Sequence, residues 1–201
     1  MLLIGIEPQH RQTPKTRNSK LHMSADRSFL ETQLLAEHSK VQTVRLVRWI
    51  GDDPQRVALL MEIFLGNQYR LTQRSAWVLR YVGEARPTLV APWLGQMIDA
   101  MRQPGAHDAV KRNVLNVFEA LDIPAEHFDN LADISFQLLE NPQEAIAIRC
   151  AAMTVLTKIC RFVPELLPEL ELLLESTIDQ GSPGMQSRTR KTLESIRKTK
   201  K

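Results

Sequence analysis

The chain has little cysteine, little aromatic character and no long apolar run. Only two cysteines occur in its 201 residues. Cys150 and Cys160 fall on one expected helix, about 15 Å apart along its axis, too far to bridge within it. They read as small apolar packing residues, not as a redox pair or as ligands. The five histidines (10, 22, 38, 107 and 127) are scattered, and none has ligand spacing beside a second carboxylate or cysteine pair. No metal site and no cofactor is therefore expected. No apolar stretch approaches the ~20 residues that cross a bilayer, so membrane insertion is not expected. Met1 to Ile6 is apolar but too short for the apolar core of a signal peptide, and Glu7 and Pro8 interrupt it. With nothing else pointing to export, the expected address is the cytoplasm. Alternation with period two is also missing, which argues against a sheet.

What is present is a globular balance, with 43% hydrophobic and 24% charged residues. The formal charge of +3 is unevenly placed along the chain. Residues 1–22 hold Arg11, Lys15, Arg17 and Lys20 against Glu7, and residues 188–201 hold seven basic residues against Glu194. The body between them, 23–187, carries 15 basic and 21 acidic residues. An acidic body with basic ends argues against a nucleic-acid-binding body, which usually carries a basic face. Residues 1–22 are polar, basic and aperiodic and read as a disordered tail, with translation from Met23 as the alternative. One domain is expected over 23–198, followed by a short basic end, 199–201.

From residue 24 onward the apolar pattern is helical. Val110, Val114, Val117, Phe118 and Leu121 share one face of a 3.6-residue helix. Ile148, Ala152, Val155, Leu156 and Ile159 share another, as do Leu167, Leu170, Leu174 and Ile178. Three cap-then-proline pairs, Asp53-Pro54, Asn141-Pro142 and Ser182-Pro183, mark expected helix starts. The pattern predicts helices near 25–37, 39–50, 53–65, 68–84, 88–102, 107–121, 125–140, 142–161, 164–179 and 183–197. The gaps between them allow only antiparallel neighbours.

The strongest signal is internal repetition. Pro87, Pro124 and Pro164 each open a helix, at intervals of 37 and 40. Arg74, Arg112, Arg149 and Arg188 each sit early in the following helix, at intervals of 38, 37 and 39. A period near 38 fits a two-helix unit that cannot bury its apolar face alone and must stack on copies of itself. In Pro87-Thr-Leu-Val-Ala-Pro92, Pro164-Glu-Leu-Leu-Pro168 and Ile148-Arg149, with the looser Lys111-Arg112 and Gln73-Arg74, the chain resembles the HEAT-repeat family. The resemblance covers 53–197, with 24–50 as a degenerate first hairpin. It implies an all-α fold, a right-handed α-α superhelix or armadillo-type solenoid of about five antiparallel hairpins. A helices would lie outside and B helices would line a concave face. Of the family's Asp–Arg ladder, Asp108 could serve Arg112, while Asn67 and Asn141 stand where aspartates are expected.

The recurring arginines have two readings. They brace turns through backbone carbonyls, or they line the concave face and meet an acidic partner or phosphates. Trp77, Arg80, Tyr81 and Glu84 have the composition of a binding hot spot, unless the two aromatic rings pack on the neighbouring hairpin. Asn113, Asn116 and Glu119 would continue that surface. Trp49 and Trp93 fit the apolar faces of their helices. The candidate partner contacts are Arg74, Trp77, Arg80, Tyr81, Arg112, Asn113, Asn116 and Arg149. A protein or peptide is the expected partner of this non-catalytic scaffold, with nucleic acid as the alternative. The basic C-terminus reads as a solvated cap of the last repeat, with contact to nucleic acid or an anionic surface as the second reading.

Two enzyme readings are weaker. Gly181-Ser182-Pro183-Gly184-Met185 resembles the glycine-serine-serine-x-methionine loop of the fumarase and adenylosuccinate lyase superfamily. Only Gly181, Ser182 and Met185 match, and a helix stop followed by a helix start explains the same residues. HEAT-like DNA glycosylases bind duplex in a basic groove, but no matching tryptophan–aspartate constellation stands here. Fold analogy does not carry a reaction.

Overall fold

A computed structural model describes residues 14–66, 68–179 and 181–199, with side chains from residue 22 to 198. The expected helix near 25–37 is longer than the apolar pattern indicated. This helix, α1 (Pro14–Ala36), begins within the segment read as a tail. Residues 1–13 of that tail, and 200–201 of the basic end, lie outside the described residues.

The remaining helices follow in hairpins. They are α2 (Lys40–Ile50), α3 (Pro54–Phe64), α4 (Tyr69–Ala85), α5 (Pro87–Val90), α6 (Leu94–Arg102), α7 (Asp108–Ala120), α8 (Phe128–Glu140), α9 (Ile146–Ile159), α10 (Leu167–Thr177) and α11 (Pro183–Thr199). The hairpins are α1–α2, α3–α4, α5/α6–α7, α8–α9 and α10–α11, so the expected five are present in an all-α solenoid. The B helices pack one on the next, α2 on α4, α4 on α7, α7 on α9 and α9 on α11. The A helices stack likewise, α1 on α3, α3 on α5 and α6 on α8.

Local chemistry sets most of the boundaries. The Asp53 carboxylate accepts from the Gln55 and Arg56 backbone N–H groups, and Pro54 takes the position where no N–H is needed. Ser39 caps α2 in the same way, accepting from Gln42 N at 3.1 Å. Gly51 ends α2 at φ 56°, a conformation glycine adopts without a Cβ penalty, and its N–H returns to the Val47 carbonyl.

Two expectations are corrected. The stretch read as one helix over 88–102 is broken by a 3₁₀ turn, Ala91–Trp93, because Pro92 has no N–H to donate to the preceding turn. Asn141-Pro142 opens a turn instead of a helix. The Asn141 side chain accepts from Gln143 N at 3.0 Å, and Glu144 N returns to the Asn141 carbonyl at 3.2 Å. The helix starts at Ile146. An asparagine-proline pair supports either structure, since the same side-chain oxygen serves a cap or an Asx turn.

One apolar core runs from Leu30 to Ile196. Val114, Val117, Phe118, Ile148, Ala152, Val155, Leu156, Ile159, Leu170 and Leu174 are all buried in it, as their helical periodicity required. Each such large side chain contributes about 1.5–3 kcal/mol by leaving water. Trp49 and Trp93 are half-buried against this core. Phe29 lies 4.9 Å from the Trp49 ring, and the Arg56 guanidinium lies 4.3 Å above it.

Candidate functional site

Stacking the B helices leaves open cavities between neighbouring ones. Between α4 and α7 lies an open cavity of about 370 Å³. Gln73, Trp77 and Arg80 of α4 face Arg112, Asn113, Asn116 and Glu119 of α7 across it, and His38 closes one side. A second open cavity, of about 470 Å³, lies among α7, α9 and α11. Glu119, Thr154, Lys158, Arg161, Arg188 and Lys191 line it, along with Thr157, Thr192 and Ser195. Glu119 lines both cavities, so they adjoin at α7 and together span four B helices (hereafter the groove).

The candidate residues divide. Trp77, Arg80, Arg112, Asn113 and Asn116 come together in the first cavity. Trp77 is 46% exposed and stands edge-on to the His38 ring at 4.7 Å, so it presents an apolar surface in place of filling the core. Arg80 pairs with Glu84 at 3.0 Å along its own helix. Arg112 has no hydrogen bond or ion pair among the described residues. Asn113 is only 4% exposed, and its Nδ2 is buried without an acceptor. Tyr81 is half-buried and stands apart from the cavity.

Arg74 and Arg149 are engaged inside the protein. Arg74 Nη1 donates to the Leu34 carbonyl at 2.8 Å, at the end of α1. Arg149, 4% exposed, donates Nε to the Leu139 carbonyl at 2.9 Å, at the end of α8. Lys158 does the same for α7, reaching the carbonyls of Phe118 at 3.1 Å, Glu119 at 3.3 Å and Leu121. Helix C-termini leave carbonyls without intrahelical partners and carry partial negative charge, so a cation from a neighbouring helix suits them twice over. The bracing reading thus holds for two of the four repeat arginines. Arg112 and Arg188 face the groove, with Arg188 donating to the Thr154 hydroxyl.

The groove's electrostatics were missed in the sequence. Arg80, Arg112, Lys158, Arg161, Arg188 and Lys191 line it against the single carboxylate of Glu119. Burial raises the pKa of Glu119 above the usual carboxylate value, while Thr154, Arg188, Arg80 and Lys158 pull the other way. Charge is sorted by helix type in the last two hairpins. Segments 125–140 and 164–177, which form the A helices and their leading turns, hold eight acidic residues and no lysine or arginine. The B helices α9 and α11 hold seven basic residues against Glu194. The earlier division of charge along the chain averaged over this alternation. Counting by repeat register was the signal that could have found it.

The glycine-serine segment has structural roles. Gly181 adopts φ 78°, where an added Cβ would meet Met185 Sδ at 2.9 Å. Ser182 Oγ accepts from Met185 N at 3.4 Å, and Met185 is buried. Among the described residues, no group of three His, Cys, Asp or Glu side chains is placed to hold a metal ion, and no helix is long and apolar enough to cross a membrane.

No curated protein and no solved structure matches the chain. A family model does match: the HEAT repeat domain fits residues 30–196, from the end of the first helix to the end of the last, and the chain belongs to that family.

Proposed function

We infer that this protein is a non-catalytic repeat scaffold that recognises a partner protein, through a peptide segment held in the groove of its B helices. The observation that carries this reading is the cavity between α4 and α7. It combines an exposed aromatic ring, an unpaired guanidinium and amide groups on two rigid, adjacent helices. Exposed aromatics and arginines in a concave setting are the residues that dominate binding energy at protein interfaces. Repeat stacking supports the same reading, because it creates an extended surface from elements that need no movement to form it.

The test is capture from an extract of cells that make the protein, comparing the wild type with Trp77→Ala/Arg112→Gln. Trp77 is exposed and Arg112 is half-buried without a partner, so the variant is expected to lose no more than about 1 kcal/mol of stability per site. Loss of the captured proteins with retained thermal unfolding supports the reading. Equal capture by the folded variant sinks it.

The cations of the second cavity favour a second reading, nucleic acid. That reading predicts binding to random duplex DNA that weakens steeply with salt. No binding at low salt removes it.

A further inference from the structure

We propose that the partner segment is acidic, and that the cavity between α4 and α7 receives one of its carboxylates on Arg112 and Asn113. This rests on the peptide-groove reading above and gives the peptide its chemistry. Asn113 is the decisive residue. A buried amide nitrogen without an acceptor is unfavourable, and native proteins rarely leave one. Asn113 lines the open cavity, with the unpaired Arg112 beside it on α7, the Asn116 amide one turn further along and the Gln73 amide of α4 across the same space. A carboxylate in the cavity would give the guanidinium a counter-ion in a charge-assisted pair, and a turn of the Asn113 side chain towards the cavity would bring its amide the missing acceptor. Trp77, at the same cavity, offers an apolar face for the side chain next to that carboxylate.

Beyond Glu119 the groove continues over Arg161, Arg188 and Lys191, which would accept further carboxylates downstream. A peptide suits this layout better than a nucleic acid. Glu119 interrupts the cationic path, and a nucleic-acid backbone carries a charge at every residue, whereas a peptide can leave a gap there. The acidic A helices also oppose a polyanion that extends past the groove.

The experiment is fluorescence anisotropy of the full chain with a labelled peptide of alternating glutamate and alanine at low ionic strength. Glutamine-alanine and lysine-alanine peptides and an oligothymidylate of equal length serve as comparisons. We expect saturable binding of the glutamate peptide, weakened about tenfold or more by Arg112→Gln, the loss of one charge-assisted pair. Arg102→Gln, on α6, leaves it unchanged. Asn113→Leu should weaken binding while raising the thermal midpoint, since it replaces an unpaired buried amide with an apolar group of similar size. A structural role for Asn113 would lower that midpoint instead. Glu119→Gln should tighten the glutamate peptide. Equal or tighter binding of the glutamine or lysine peptide overturns the acidic assignment and leaves the peptide groove standing. Binding of the oligothymidylate alone overturns both. Failure of the glutamate peptide to bind, or binding indifferent to Arg112→Gln and Asn113→Leu, overturns the assignment.

Discussion

Arg149 and Leu139 are joined across the turn between α8 and α9, the guanidinium Nε donating to the Leu139 carbonyl at 2.9 Å. The bond binds a B helix to the buried last turn of its own A helix. Arg74 makes the corresponding contact forty residues back, to Leu34 in the preceding hairpin. Removing the buried donor should therefore be felt more than removing the half-buried one.

Arg149→Ala is expected to cost about 2–3 kcal/mol, because it strands a helix-end carbonyl and leaves a void. In a chain of this size that lowers the thermal midpoint by about 4–10 °C. Arg149→Met, which keeps the apolar stem, should lose roughly half as much. Thermal unfolding followed by circular dichroism measures both. Equal loss in the two variants would mean that packing does not contribute.

Gly83 of α4 packs against Leu121, the residue that ends α7. A Cβ built there would lie 2.8 Å from Leu121 Cδ1 and nearer still to Cδ2. Gly83→Ala improves helix propensity by about 1 kcal/mol but overpacks this contact, and the net change is expected to be destabilising by about 1 kcal/mol. In the double variant with Leu121→Ala, the total loss should be smaller than the sum of the single losses. A stabilised Gly83→Ala protein would show that the Leu121 side chain turns aside at little cost.

Glu119 supplies a pH dependence with a defined sign. Burial holds its carboxyl above the ordinary pKa in the folded chain, so the folded state binds the proton more tightly than the unfolded one. The stability associated with this group is then highest below the ordinary pKa of about 4.3 and declines as pH rises to the folded value. Glu119→Gln should raise the midpoint at neutral pH, on the order of 1 °C. The difference from wild type should vanish in acid. A lowered midpoint at neutral pH would mean that the surrounding cations outweigh burial.

The cysteines should be inert in the folded protein. Burial pushes the Cys160 thiol up to about 11 and raises Cys150 as well. At neutral pH neither forms much thiolate, the reactive species. A disulfide reagent should titrate both thiols promptly in denaturant and only slowly in native buffer. Prompt native reaction at Cys160 would contradict its burial.

The solenoid and its register were readable because proline and arginine recur at the length of one hairpin, and that length fixes which helices stack. The arginine series itself was ambiguous. Arg74, Arg112, Arg149 and Arg188 share a register, but tertiary packing decides which of them finds a carbonyl within reach. Asn113 was expected on the partner surface and lines the cavity at only 4% exposure, a depth that periodicity does not resolve. The groove's charge was obscured for another reason. In the last two hairpins, acidic A helices and basic B helices offset one another in any window longer than one helix, as the four carboxylates of 125–140 do against the two cations of α9. His38, from the turn before α2, carried no signal, because nothing in its neighbourhood predicts that it meets Trp77.

The most direct test of the groove as the recognition site is photo-crosslinking inside cells that make the protein. A photoreactive residue replaces Gln73, which lines the α4–α7 cavity, or Leu172, which is exposed on the A helix α10. A discrete protein adduct is expected from position 73, lost on Arg112→Gln, and none from position 172. An adduct from position 172 alone, or adducts from position 73 that survive Arg112→Gln, would contradict it.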